Sequence, residues 1–303
     1  MKRFLLSLSL TLSLFALMCA PLPLTQFSGT QAAALGEEKR YVLIYHSQSS
    51  VPKNAENKVV QMGGQVVNRL DEIGALVATS ANPNFAAEIS KADAQISDVA
   101  EDLILPMIPS PERMGVEAMG DGPVEAPGDD TQTGSEPFYR FQWDKKRMRA
   151  SNQGSYAVQQ GRPDVFVAVL DTGADILPIP HQDIRPNLDV ARSRSFVGSV
   201  PAGGDPNPAA WDDKNGHGSW CLSAVGAPIN GRGMSGVAPR VRLVALKVLN
   251  DAGNGSLVWL AQALIYAGVN KFDVASMSLG AYLQHSNQNS QALIKLVYRA
   301  VNF

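Results

Sequence analysis

The run Val165 to Leu170 is six apolar residues, rich in β-branched types, and it stops abruptly at Asp171-Thr172-Gly173. A short apolar run without alternation, closed by a turn, reads as a strand covered on both faces, as in a parallel α/β sheet. A carboxylate at the end of such a strand is costly unless something pairs with it. That end is also where open α/β sheets gather ligands and catalytic groups. Taken alone, Asp171 also suits a turn or a helix cap.

A second stretch bears on that choice: Asp212-Asp213-Lys214-Asn215-Gly216-His217-Gly218-Ser219-Trp220-Cys221-Leu222-Ser223-Ala224-Val225-Gly226. Glycines on both sides of His217 let the backbone come close and leave the imidazole uncrowded. The small and apolar residues that follow read as a buried helix, and a histidine opening such a helix is an odd choice for packing alone. Further on stand Gly236-Val237-Ala238-Pro239 and Ser276-Met277-Ser278-Leu279-Gly280.

Val-Leu-Asp-Thr-Gly, Asn-Gly-His-Gly, Gly-Val-Ala-Pro and Ser-Met-Ser-Leu-Gly, in this order, resemble the subtilisin-like serine protease family. The 46 residues from Asp171 to His217 are a spacing of the kind that family uses. The resemblance covers roughly 138–303, and residues 39–107 resemble the inhibitory propeptide that precedes these enzymes. It implies an α/β parallel-sheet catalytic domain, incomplete here, behind a ferredoxin-like α+β propeptide. The implied reaction is peptide-bond hydrolysis in polypeptide substrates by an Asp-His-Ser triad. His217 would take the proton of a serine hydroxyl and return it to the leaving amine, while Asp171 would hold the imidazole tautomer. Ser278, Leu279 and Gly280 would pair with substrate backbone, although on their own they also suit an ordinary strand exit.

The chain departs from the family at the nucleophile. No Gly-Thr-Ser-Met-Ala segment occurs in it, nor an Ala-Gly-Asn strand carrying the oxyanion-hole asparagine. Gly233-Met234-Ser235-Gly236 aligns with a structural loop instead. The sequence therefore reads as the front part of a protease precursor, cut before its serine and inactive alone. Two other readings stay open: residues 39–107 as a propeptide-type protease inhibitor or folding helper, and a truncated gene product without function. By the same resemblance a structural calcium ion would be held by Asp183 and Asn230 side chains and the carbonyls of Pro228, Arg232 and Met234; the other reading is a solvent loop capped by Asn230. Cys221 is similar to the cysteine of a thiol-containing branch and reads as a buried structural thiol. Trp220 and Leu222 stand where the family more often has smaller or different residues.

The rest of the chain fits this arrangement. Residues 1–34 carry a short basic start and an apolar core from Phe4 to Met18, with Ala32-Ala33-Ala34 as a cleavage site, and read as a secretory signal. The product would be secreted or periplasmic, with no membrane contact once the signal leaves. Cys221 then remains alone, so no intramolecular disulfide forms. From Lys39 to Met107 the pattern predicts β-α-β-β-α-β: strands over 41–45, 65–70, 75–79 and 96–105, helices over 55–62 and 83–91. Residues 108–137, dominated by proline, glycine and acid, read as an exposed linker. Beyond it the sequence predicts, after Phe138 to Trp143, a helix-like stretch to Gly161, then a core strand over 241–249, a helix over 257–268 and a buried strand over 273–278. His46 reads as a surface residue at a strand end. A formal net charge of −2 gives no reason to expect nucleic acid as a partner.

Overall fold

The computed structural model describes residues 37–108, 133–178, 181–198 and 207–303. The signal read over 1–34 and most of the linker read over 108–137 lie outside the described residues. Two sheets organise what is described. The first is antiparallel, built from β1 (Lys39–Tyr45), β2 (Gly64–Leu70), β3 (Ala75–Ser80) and β4 (Ile96–Glu101) in the order β2-β3-β1-β4. Helices α1 (Ala55–Gln61) and α2 (Phe85–Ala92) complete a β-α-β-β-α-β unit. The second sheet is parallel, in the order β10-β6-β8-β7, from β6 (Phe166–Asp171), β7 (Arg194–Ser195), β8 (Arg242–Lys247) and β10 (Val274–Ser276).

Alternation along the strands decides what each sheet faces. In β6, Val167 and Val169 join Leu222 of α4 (His217–Gly226) and Leu243 and Ala245 of β8. Ala168 and Leu170 point the other way, into a core with α5 (Leu257–Val269) and α6 (Gln288–Asn302). A strand so covered has no polar face, which is why its sequence runs unbroken.

The antiparallel sheet is sandwiched in the same way. Tyr41, Leu43 and Tyr45 of β1 pack with Ala55 and Val59 of α1 and Phe85 and Ile89 of α2. Val42 and Ile44, with Ala75 and Val77 of β3, enter the core that α5 and α6 fill. The layers therefore run α4, parallel sheet, α5 and α6, antiparallel sheet, α1 and α2. The pair α5 and α6 is common to both halves, and with it they form one compact unit.

Four expectations differ from the structure. The strand over 96–105 is broken at Asp102: β4 ends at Glu101 and a separate β5 (Ile104–Pro106) pairs antiparallel with β9 (Asn254–Ser256), outside both large sheets. Asp102 turns aside because its carboxylate meets Arg40 and Ser256. The helix-like stretch from Trp143 to Gly161 is broken into α3 (Trp143–Arg147) and a 3-10 turn at Ser155–Ala157, and another 3-10 turn, Tyr139–Phe141, precedes it. Buried Tyr139 and Tyr156 hold it against the loop that carries Ile229. The strand over 273–278 is short and exposed, with Val274 48% accessible, because among the described strands it pairs with β6 alone. Residues 133–137, read as the end of an exposed linker, are anchored: Glu136 is buried, and Asn152 N donates to Thr133 O.

Candidate active site

Asp171 ends β6 fully buried, and its Oδ1 accepts from Thr172 N at 2.7 Å. Across from it, His217 is the first residue of α4. Its Nδ1 lies 2.8 Å from Asp171 Oδ1, so a carboxylate and an imidazole 46 residues apart meet through the ring nitrogen facing the sheet. The carboxylate can only accept, which puts the imidazole proton on Nδ1. The other ring nitrogen is thereby left as an acceptor, the state a general base requires.

The two glycines around His217 act differently. Gly216 has φ +94°, a left-handed value that costs any other residue strain, and it turns the loop into α4. Gly218 is needed for closeness: a Cβ there would stand 2.4 Å from Gly173 O, and Gly218 N donates to Thr172 Oγ1 at 2.8 Å. Helix and strand end thus touch backbone to backbone, which fixes the imidazole against the carboxylate.

Three supporting residues escaped the sequence reading. Asp213 accepts on Oδ1 from Thr172 Oγ1 (2.8 Å), Asn215 N (3.0 Å) and Gly216 N (2.9 Å). Its Oδ2 accepts from Ser219 N (2.8 Å) and Ser219 Oγ (2.7 Å). Burial pushes its carboxyl up, but these hydrogen bonds outweigh burial and leave it below the usual range. Lys247, buried at the end of β8, donates to Thr172 O (2.5 Å), Asp212 O (3.2 Å) and Asp251 Oδ1 (2.8 Å). It ties the turn after Asp171 to the loop before His217. Glu136 accepts from Asn230 N (2.7 Å), Gly231 N (3.1 Å) and Arg232 N (2.6 Å), holding the loop in which the calcium residues were placed. Only the bare acidity of Asp213 and Glu136 and the strand-end position of Lys247 could have pointed to them.

Cys221, one helical turn after His217, is buried with Sγ 3.8 Å from His217 Nδ1. Burial pushes its thiol up to about 12; the hydrogen bond with Ser278 works against that, and the charge of Asp171 adds to it. Trp220 stays 61% exposed, its ring 6.3 Å from the His217 ring.

Ser278, Leu279 and Gly280 follow β10 outside any helix or strand, and Gly280 N donates to Met107 O at 2.9 Å. On the other side Met107 N and Ile108 N donate to Gly253 O at 3.1 and 3.3 Å, and β5 pairs with β9. β5 and the two residues after it thus lie between the segment 253–256 and Gly280. Asp183 and the loop 228–234 also come together: Met234 N donates to Asp183 Oδ2 at 3.3 Å, and a Cβ on Gly233 would fall 2.1 Å from that oxygen. The oxygen donors read there, one carboxylate, one amide and three carbonyls, are of the kind a hard cation takes.

Comparison with known proteins bears on these placements. Residues 162–302 match the profile of the Subtilase family. An intracellular serine protease of Paenibacillus polymyxa is 38% identical over 116 residues, 38% of this chain and 33% of the relative. Subtilisin E of Bacillus subtilis is 28% identical over 283 residues, 91% of this chain and 60% of the relative. Among solved structures, the epidermin leader peptide processing serine protease of Staphylococcus aureus superposes with TM-score 0.64 at 19% identity, covering 88% of this chain and 57% of that one. Fervidolysin of Fervidobacterium pennivorans, a keratinolytic enzyme related to subtilisin, gives 0.59 at 20% identity, covering 86% and 38%. The chain spans between a third and three fifths of the length of these two curated relatives.

Proposed function

The chain carries, over residues 162–302, a domain of the subtilase family of serine proteases, and on that premise we propose that it is the front part of a secreted endopeptidase precursor. In this reading Asp171 and His217 are two members of an Asp-His-Ser triad acting on polypeptides. The observation that carries it is the 2.8 Å contact of His217 Nδ1 with Asp171 Oδ1, at the carboxyl end of a parallel strand. With the Nδ1 proton bound to the aspartate, Nε2 takes the proton of the attacking serine, and Asp171 stabilises the imidazolium that forms. Serine and oxyanion donors belong to a segment that these 303 residues do not hold.

The N-terminal unit is the inhibitor of that enzyme, and residues 104–108 lie as a substrate strand would. The pairing of β5 with β9, and of Met107 O with Gly280 N, supports this reading. Strand addition of this kind depends on main-chain hydrogen bonds more than on side chains. A structural calcium ion would be held by Asp183, Asn230 and the carbonyls of Pro228, Arg232 and Met234, and would supply loop stability rather than chemistry. Residues 1–34 direct export; among the described residues no helix is long and apolar enough to cross a membrane.

The test uses a complete subtilase as target. Residues 35–110, made alone, inhibit it at micromolar concentration, and deletion of 103–110 removes most of the inhibition. A fragment that is folded by circular dichroism yet does not inhibit would leave the unit as a spacer. The 303-residue chain itself gives no turnover of casein and no labelling by a fluorophosphonate probe.

A further inference from the structure

We propose that Asp171, His217 and Cys221 together chelate one borderline divalent cation of the zinc class, and that the bound ion withdraws His217 from proton transfer. The effect on catalysis rests on the function proposed above; the binding does not.

One ligand atom from each residue lies within 4.8 Å of the other two, the only such group of three His, Cys, Asp or Glu residues found among those described. His217 Nδ1 is 2.8 Å from Asp171 Oδ1 and 3.8 Å from Cys221 Sγ. Zinc bonds of about 2.0 to 2.3 Å set neighbouring ligand atoms of a tetrahedral site roughly 3.3 to 3.7 Å apart. Small side-chain rotations therefore bring the three onto one ion. Oxygen, imidazole nitrogen and thiolate sulfur form a mixed set that zinc accepts and that calcium or magnesium does not.

A second observation concerns the carboxylate, which lies against the Cys221 thiol. Asp171 is fully buried, and its Oδ2 has no hydrogen-bond partner among the described groups. Leaving such an oxygen unmatched costs free energy that a cation removes. The ligands are also held in place: His217 and Cys221 sit four residues apart on one face of α4, and Asp171 ends β6. His217 keeps a quarter of its side chain accessible, which gives an ion its way in.

The balance of charge and protons favours a divalent ion. Without it the site holds a carboxylate, a neutral imidazole with its proton on Nδ1, and a protonated thiol. On binding, Cys221 releases its proton to solvent and the imidazole carries its single proton on Nε2 instead of Nδ1. The ion meets two anionic ligands and one neutral ligand, so the buried site becomes neutral, with a fourth position for water. An imidazole protonated on Nε2 cannot accept from a serine.

The test titrates the 303-residue chain carrying Cys19→Ser, so that Cys221 is its one thiol, with cadmium, whose thiolate complexes absorb in the ultraviolet, with zinc as competitor. Expected are one cadmium per chain, release of about one proton per ion, and displacement by zinc. Cys221→Ser abolishes the band, and Asp171→Asn and His217→Gln each weaken binding by at least about tenfold. Spin coupling between cadmium and the His217 Nδ1 nitrogen in the unmutated chain keeps the test independent of how the variants fold. Absence of a band overturns the proposal. So does a band that Asp171→Asn and His217→Gln leave unchanged, which marks a lone thiol adduct, and so does a band that survives Cys221→Ser.

Discussion

Asp213 is the residue on which the loop before His217 turns, because five donors converge on its two buried oxygens. Asp213→Asn replaces one accepting oxygen by a donor that faces other donors. It should lower stability at pH 7 by about 1.5–3 kcal/mol, the range for hydrogen bonds to a charged group. The pH dependence follows from a folded carboxyl held below its unfolded value of about 3.9. Its contribution is fully present above the unfolded value and disappears as pH falls through the folded one. Melting of the wild-type chain should therefore drop more steeply between pH 5 and pH 3 than that of Asp213→Asn; parallel curves would refute the assignment. Asp171 and His217 could be read from sequence because each has a marked context, a strand stopped by an acid and a histidine between glycines. Asp213, Lys247 and Glu136 could not: a polar residue in a loop looks alike whether it faces water or five donors. Their partners lie up to 96 residues away in the chain.

At the scale of elements, what could be read was whatever carries its own period. Helix α5 follows from its apolar stripe, and its start follows from Ser256, whose side chain accepts from Val258 N and Trp259 N. The strand β9 was hidden, since three residues around a glycine show no alternation and its partner β5 lies some 150 residues earlier. The exposure of β10 was hidden too, because an apolar run does not say how many neighbours a strand will have. Ser256 also donates to Asp102, which Arg40 pairs, so Ser256→Ala removes a helix cap and leaves a buried carboxylate short of a donor. The cost should be about 1–2 kcal/mol, and the cycle with Asp102→Asn should be non-additive in thermal melts; additivity would show that the two residues act separately. The exposed edge at β10, with Val274 and Met277 accessible, is a template for pairing with another chain. Val274→Lys should reduce concentration-dependent light scattering of the 303-residue chain, and unchanged scattering would place self-association elsewhere.

Across the whole molecule, a unit of about 70 residues that could have buried a core by itself instead lends half of its sheet to a neighbour. The run Tyr41 to Tyr45 marks a strand, but not that its alternate residues serve two cores. Arg299 closes the contact between the halves. It sits buried on α6 and donates to the carbonyls of Tyr45 (2.9 Å), Ser47 (3.3 Å), Ile73 (3.0 Å) and Gly74 (3.4 Å), all at one end of the antiparallel sheet. Lys295 with Asp98, and Asn289 with the backbone of Glu101, lie along the same helix but are more exposed, and such contacts contribute less. Arg299→Ala leaves those carbonyls without their donor and opens a void between the layers. The loss, about 1.5–3 kcal/mol for bonds from a charged donor, should speed amide exchange in β1 and β3 by roughly tenfold to a hundredfold. Exchange in β6 and β8, on the far side of α5 and α6, should change little. Arg299→Lys keeps the charge but loses the planar fork that reaches several carbonyls at once, and should fall between the two. If β1 and β3 exchange no faster in Arg299→Ala than in the wild-type chain, apolar packing alone holds the halves together. Equal acceleration in all four strands would instead mean that they open only as one.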